Sequence, residues 1–233
     1  MFGAILDKRR PRGDNSRRIE DAGYVVVDTE LTGLDGRKDS IVSIGALHMK
    51  GGRLDLSDTF YRLVKPRTDL SAESVVIHEI TPGEVLHKPD IGAVISEFIE
   101  FCGGDIIVGY CLDIDMAFLN REKKRISGTL FQNLLLDIRP LFEWARSKET
   151  FKQKACASLP AQCKLYDMAK CLGIPFNGAH NAMVDAFVTA QIFQRIIPVL
   201  AVSDTRTVGD LMALSKRLKG GDRYSTVRSI GNF

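Results

Sequence analysis

The chain has 233 residues, 45% of them hydrophobic, with 32 Lys and Arg against 29 Asp and Glu for a net charge of +3. That length and apolar content suit one domain with a good-sized core and short appendages. The longest apolar stretches are broken before the roughly 20 residues needed to cross a bilayer, and an N-terminus that is apolar first and charged afterwards is the reverse of a secretory signal, so no membrane partner and a cytoplasmic location are expected.

Residues 1–22 carry Lys8-Arg9-Arg10-Pro11-Arg12 and Arg17-Arg18 with little apolar periodicity after Leu6, which predicts a basic flexible leader outside the core. Residues 24–27, 41–49 and 59–64 read as strands separated by turn signals at 33–36 and at Gly51-Gly52, an antiparallel meander. After Thr81-Pro82-Gly83 the apolar period lengthens. Ile91, Val94, Ile95, Phe98 and Ile99 fall at helical spacing, and Gly103-Gly104 closes that helix. A fourth strand at 105–109, a helix at 115–125, a fifth strand at 134–137 and helices at 140–148, 165–172 and 181–200 follow. Strands first and alternating elements afterwards predict an α/β fold with a mixed sheet flanked by helices.

The segment 146–164 is loop-like and basic, with Lys148, Lys152, Lys154 and Lys164; it reads equally as a contact for a phosphate backbone and as a solvated linker. Val208, Leu211, Met212, Ser215 and Leu218 define one face of an amphipathic helix ended by Gly220-Gly221, free to dock on its own domain or on a partner. The organisation expected is therefore a leader at 1–22, one domain at 23–200, and a helix with a polar tail at 201–233. The five cysteines show no C-x-x-C spacing and read as thiols in a reducing cytoplasm.

Asp28 and Glu30 close the apolar run that starts at Tyr24, and residues two apart in a strand share a face. Two carboxylates held against a hydrophobic sheet repel each other and lose hydration, so one takes a proton or a cation sits between them. Asp115 precedes Phe118 and Leu119 by three and four residues and shares their inward stripe, whereas Asp113 turns to water. In the run from His180 to Ala190, Ala182, Asp185, Ala186 and Thr189 share one helical face, where an ionised carboxylate costs several kcal/mol unless paired or metal-bound. His180 stands at the start of that helix. Capping for Asp115, a turn role for Glu30 and a structural role for His180 are the competing readings. His48 and His87 read as packing or surface groups, and His78 as a pocket or structural residue.

Taken together, Asp28-Thr29-Glu30, Asp115 before Met116-Ala117-Phe118-Leu119, and His180 with Asp185 resemble the three motifs of the DEDDh family of 3′ to 5′ exonucleases. The likeness takes in residues 39–46, 78–81 and 172–175 and spans about 24–200. Within the family it is greatest to the group holding the proofreading epsilon subunit of bacterial DNA polymerase III and its stand-alone relatives. The resemblance implies a ribonuclease H-like fold, a five-stranded mixed sheet flanked by helices. It implies two divalent metal ions, magnesium first and manganese as a substitute. Asp28 would bridge both ions, Glu30 and Asp185 would complete the site of the attacking water, Asp115 would support the second ion, and His180 would be the general base. Thr29, Leu31, Thr32, Gly33 and Leu34 would face the terminal nucleotide, with His78 beside its sugar or base. The activity implied is release of nucleoside 5′-monophosphates from single-stranded or frayed DNA 3′ ends, in association with a DNA polymerase. A 3′ to 5′ exoribonuclease and a polymerase-associated nucleic-acid-binding adaptor are the alternatives. The chain departs from the family where Tyr110-Cys111 replace His-Asn, Ile114 replaces Phe, and Glu79 replaces a frequent glycine.

Overall fold

In the computed structural model, which describes residues 14–151, 154–160, 162–178 and 180–221, the strand-like runs form one five-stranded sheet. β1 (Gly23–Leu31) pairs antiparallel with β2 (Ile41–Lys50), and β2 antiparallel with β3 (Arg53–Leu63). Three helices then cross the molecule, α1 (Ala72–His78), α2 (Pro82–Val85) and α3 (Ile91–Cys102). β4 (Ile106–Gly109) returns parallel to β1, α4 (Asp113–Ser127) carries the chain onward, and β5 (Leu135–Asp137) lies parallel to β4. Helices α5 (Ile138–Arg146), α6 (Leu165–Cys171), α7 (Ala182–Val202) and α8 (Val208–Gly221) complete the order. The sheet order β3-β2-β1-β4-β5 is the expected mixed, ribonuclease H-like arrangement.

Covered faces explain why β1 is apolar throughout: residues 24–27 are fully buried. Tyr24 and Val26 pack into a cluster with Leu141 and Phe142 of α5, Phe193 and Ile196 of α7 and Leu211 of α8. Val25 and Val27 face the opposite way, toward Val94, Ile95 and Phe98 of α3 and Met116, Phe118 and Leu119 of α4. Buried apolar area on both sides supplies the driving force for that central position.

Several expectations need correction. β3 begins at Arg53 instead of 59, because Lys50 pairs with Arg53 across a tight hairpin; residues 53–59 are mostly exposed on the sheet edge, where charged side chains discourage strand addition and remove the alternation that marks a half-buried strand. The stretch leading to His78, for which the sequence predicts no element, is helix α1, capped by the Ser71 hydroxyl accepting from the Ser74 amide. The end of the leader belongs to the core: Ile19 and Ala22 are 1% exposed, and the Ile19 N–H donates to the Arg206 carbonyl at 3.0 Å. Residues 1–13 of the leader and 222–233 of the tail lie outside the described residues. The α8 helix docks on its own domain through Val208, Leu211 and Leu214. α7 is, by length and composition, apolar enough to cross a membrane, but its side chains are packed into the core.

Two of the five cysteines are also paired. Cys156, in a 3₁₀ turn at Lys154–Ser158, forms a disulfide with Cys171 at the end of α6, while Cys102, Cys111 and Cys163 are free thiols. The turn packs on α6 and brings the two Cα atoms to 5.1 Å, within bridging range; a separation of 15 residues carries no such signal in the sequence. In the basic segment, Arg146 turns inward and donates to the carbonyls of Cys156 and Leu159 at 3.2 and 2.9 Å.

Glu79 ends α1 in the left-handed region at φ 59°, which explains why a glycine suits that position. A side chain there opposes its own backbone by about 1 kcal/mol. Glu79→Gly is expected to stabilise the fold by about that amount, read as a higher urea midpoint with an unchanged slope.

Candidate active site

Four carboxylates meet at the C-terminal ends of the parallel strands β1 and β4, where open α/β sheets bind ligands. Asp28 and Glu30 leave β1 on the face that carries Tyr24 and Val26, toward α7. Directly opposite Asp28 on β2 is Gly45, followed by Tyr61 on β3. A Cβ on Gly45 would overlap the backbone carbonyl of Ala182 and the amide of Met183. The missing side chain lets the first turn of α7 rest directly on the sheet and bring Asp185 to the strand acids. Asn181 caps that turn by accepting from the amides of Met183 and Val184 at 3.1 and 3.3 Å.

One oxygen from each of Asp28, Glu30 and Asp185 lies within 4.8 Å of the others. Asp115, at the first turn of α4, joins the group through Thr29, whose hydroxyl donates to Asp115 Oδ1 at 2.6 Å. Glu30, Asp115 and Asp185 are buried and Asp28 is part-exposed. Burial pushes all four up, with mutual repulsion adding to it at Asp28 and Glu30: Asp28 goes well above the usual carboxylate range, Glu30 to about 8, Asp115 to about 7 and Asp185 to about 6. Hydrogen bonds pull the other way at Asp115, from Thr29, and at Asp185, from the His180 N–H at 3.1 Å.

This donor set suits a divalent cation. Asp185 Oδ1 is buried with no hydrogen-bond partner among the described residues, and the converging atoms are hard carboxylate oxygens of the kind that magnesium and manganese take. A cation there would replace the water that burial has removed and the protons that repulsion demands.

His180 sits at the mouth. Its side chain is exposed, its backbone is left-handed at φ 63°, and its N–H is held by Asp185, so the carboxylate that shares the cluster also anchors the loop from which the imidazole projects. His78 is buried on α1; Nδ1 accepts from the Ile80 amide at 3.0 Å, while Nε2 has no partner among the described residues. Burial depresses its pKa, and the charge of His180 adds to that effect. The residues expected to meet a nucleotide divide. Leu34 is 50% exposed and Gly33 half-buried, but Leu31 packs on the α3–α4 face and Thr32 is buried. The Thr32 hydroxyl donates to Asp39 at 3.1 Å and accepts from the Ser40 amide at 3.0 Å, which uses it to build its own loop.

The family departures are structural ties. The Tyr110 hydroxyl donates to the Cys163 carbonyl at 3.1 Å, and the left-handed Cys111 donates its N–H to the buried Asp137 at 3.2 Å. Sequence reasoning missed Tyr61 and Gly45. Tyr61 is 38% exposed, and burial together with the charge of Glu30 raises its phenol pKa; only the strand register, with Asp28, Gly45 and Tyr61 in one row, identifies either residue.

Comparison with known proteins gives a consistent picture. The family model described as Exonuclease, RNase T type, matches residues 25–193. The chain is similar to DNA polymerase III subunit epsilon of Aquifex aeolicus, 30% identical over 200 residues that cover 86% of this chain and 92% of that protein. It is also similar to the PolC-type DNA polymerase III of Thermotoga maritima, 33% identical over 181 residues, covering 77% of this chain and 12% of that much longer protein. Among solved structures, E. coli Exonuclease I in complex with a dT13 oligonucleotide shares the fold, with a TM-score of 0.66 and 16% identity over 78% of this chain and 42% of that one. Exonuclease X in complex with 5′ overhanging duplex DNA does so with a TM-score of 0.59 and 19% identity over 82% and 99%.

Proposed function

The chain belongs to the exonuclease family, and from that premise we propose that it removes nucleoside 5′-monophosphates one at a time from the 3′ end of single-stranded or frayed DNA. The observation that carries this reading is the convergence of Asp28, Glu30 and Asp185 oxygens on one point, with Asp115 tied in through Thr29. DNA is favoured over RNA because the epsilon subunit resembled here is part of a DNA polymerase and the structurally similar exonucleases were captured with DNA. By the same likeness the protein works in the cytoplasm beside a DNA polymerase.

Asp28 would touch both of two divalent ions, Glu30 and Asp185 would hold the first, and Asp115 would hold the second. When bound, such ions neutralise charge on the attacking and leaving oxygens of a phosphodiester. His180 takes the proton of the attacking water on an imidazole nitrogen; its exposed position at the rim gives it access to both solvent and substrate. Leu34 and Gly33 meet the last nucleotide, and His78 orients its sugar. The hydroxyl of buried Thr29 aims Asp115 and, by hydrogen bonding to the charged form, opposes part of the rise that burial imposes on it.

His180→Ala is expected to lower the rate by about 10²–10⁴ while leaving manganese affinity, measured by calorimetry, within a factor of about 3 of the unmodified protein. The function itself is tested with end-labelled single-stranded DNA, mismatched primer and RNA, each incubated with magnesium, manganese or chelator, with Asp28→Ala as control. Stepwise shortening from the 3′ end that needs metal is the expected result. Internal cuts, shortening from the 5′ end, or activity in chelator would overturn the reading.

A further inference from the structure

On α4, two turns beyond Asp115, a second carboxylate is sealed in the protein and serves a different purpose. The Glu122 side chain is 4% exposed, and three guanidinium groups surround it: Arg121 Nε at 2.9 Å, Arg125 Nη1 at 3.2 Å and Arg67 Nη1 at 3.4 Å. One negative charge against three positive charges leaves a local surplus of two. Arg121 is largely buried, at 19% exposure, and its two remaining arms donate to the carbonyls of Gly36 and Asp39 at 2.7 Å each. Arg121 therefore has a structural task, tying α4 to the loop 32–40 that begins two residues beyond Glu30.

The other two arginines have spare capacity. Arg67 and Arg125 are 54% and 48% exposed, and each donates to Glu122 only through Nη1 among the described residues. Their Nε and Nη2 groups make no hydrogen bond among the described residues, and a half-exposed guanidinium fork matches phosphate oxygens. Arg125 stands on α4, which Arg121 ties to loop 32–40, and the loop of Arg67 is braced against the same segment: the Thr68 hydroxyl donates to the Lys38 carbonyl at 2.6 Å and bonds the Ser40 hydroxyl at 3.1 Å, while the Ser40 carbonyl accepts the Thr32 N–H at 2.9 Å. The cluster thus stands beside loop 32–40, two helical turns or about 10 Å along α4 from Asp115. A buried acid that cannot follow its partners into water preorganises them, so little side-chain entropy is lost when an anion binds.

We propose that Arg67 and Arg125, held in place by Glu122, form a seat for backbone phosphates of the strand being degraded, upstream of the nucleotide held at the carboxylates. The proposal rests on the exonuclease reading for the identity of the strand. The binding itself can be measured without catalysis.

The test uses the full chain in chelator and a fluorescent single-stranded DNA oligonucleotide, with affinity followed across salt concentrations by anisotropy. Losing two phosphate contacts to a single strand reduces the log–log salt slope by about 1.4. The unmodified protein should therefore lose roughly sevenfold more affinity than Arg67→Gln/Arg125→Gln between about 50 and 200 mM salt. Arg67→Lys/Arg125→Lys keeps the charges and is expected to retain the slope. With metal, the Gln variant should raise KM for the oligonucleotide at unchanged kcat and hydrolyse a dinucleotide like the unmodified protein. Unchanged affinity and slope, equal losses on dinucleotide and oligonucleotide, or a loss confined to duplex DNA would each overturn the seat. Slope changes as expected in a protein that shortens no nucleic acid would sink the exonuclease reading and leave the seat standing.

Discussion

Asp28→Asn is expected to abolish hydrolysis and, in the same stroke, to stabilise the metal-free protein at alkaline pH. The carboxylates of the site titrate above their ordinary range, Asp28 well above it and Asp185, Asp115 and Glu30 at about 6, 7 and 8. Groups raised in this way bind protons more tightly folded than unfolded. Their contribution is fully present below the ordinary carboxylate pKa of about 4 and is lost as pH rises through the folded values. In chelator the unmodified protein should therefore weaken steadily from about pH 5 to pH 9, and magnesium or manganese should reverse the loss. An amide at position 28 is neutral without taking up a proton, so folding no longer has to protonate this buried group or set its charge against Asp115, Asp185 and Glu30. The variant should unfold at higher urea than the parent at pH 8, by roughly 1–3 kcal/mol, with a flatter pH profile and little response to metal. Its rate should fall beyond the about 10²–10⁴ expected for His180→Ala. A variant less stable than the parent in chelator at pH 8 would contradict the assignment of Asp28 to the repulsive cluster.

Gly45→Ala should lower both stability and rate although it touches no ionisable group. The added methyl meets the backbone of Ala182 and Met183, which has no rotamer with which to yield, so α7 must lift from β2. Overpacking of this kind costs about 1–3 kcal/mol. Asp185 moves with the helix, and misplacement of a reacting group by about 1 Å lowers rates by roughly 10²-fold, so the fully folded fraction should also be impaired. Gly52→Ala supplies the control, since a Cβ there meets nothing within 4 Å. Thermal unfolding together with kcat on labelled DNA separates the two effects; a folded, fully active Gly45→Ala protein would mean that the close approach does not set Asp185.

The antiparallel meander, β4, β5 and the helices α3 to α8 were legible because each carries a period enforced by burial: continuous apolar runs for strands covered on both faces, and three-to-four spacing for helices covered on one. β3 before Thr59 was illegible for the converse reason, since an exposed edge strand has no buried face to impose alternation. Helix α1 is too short to display a period, and its cap at Ser71 is the only local mark of its start. Asp28, Glu30, Asp115 and Asp185 stood out as charges in apolar settings, which is a local property. Gly45, Tyr61 and the Arg121–Glu122 pair acquire their meaning from register and from contacts between distant segments, and neither is written in local composition. The residues 14–22 looked like leader because one isoleucine and one alanine among charges give no pattern, although Ile19 fills a place in the core against the start of α8.

The acids of the cluster come from the first strand, a middle helix and the last long helix. Asp185 can arrive only when α7 has settled across strands made much earlier in translation. On the proposed exonuclease reading, a chain made only as far as its meander lacks Asp185 and so holds an incomplete set of metal-binding oxygens. The proposed activity would therefore depend on α7 having reached the sheet, which makes turnover, where it is measured, a readout of completed folding.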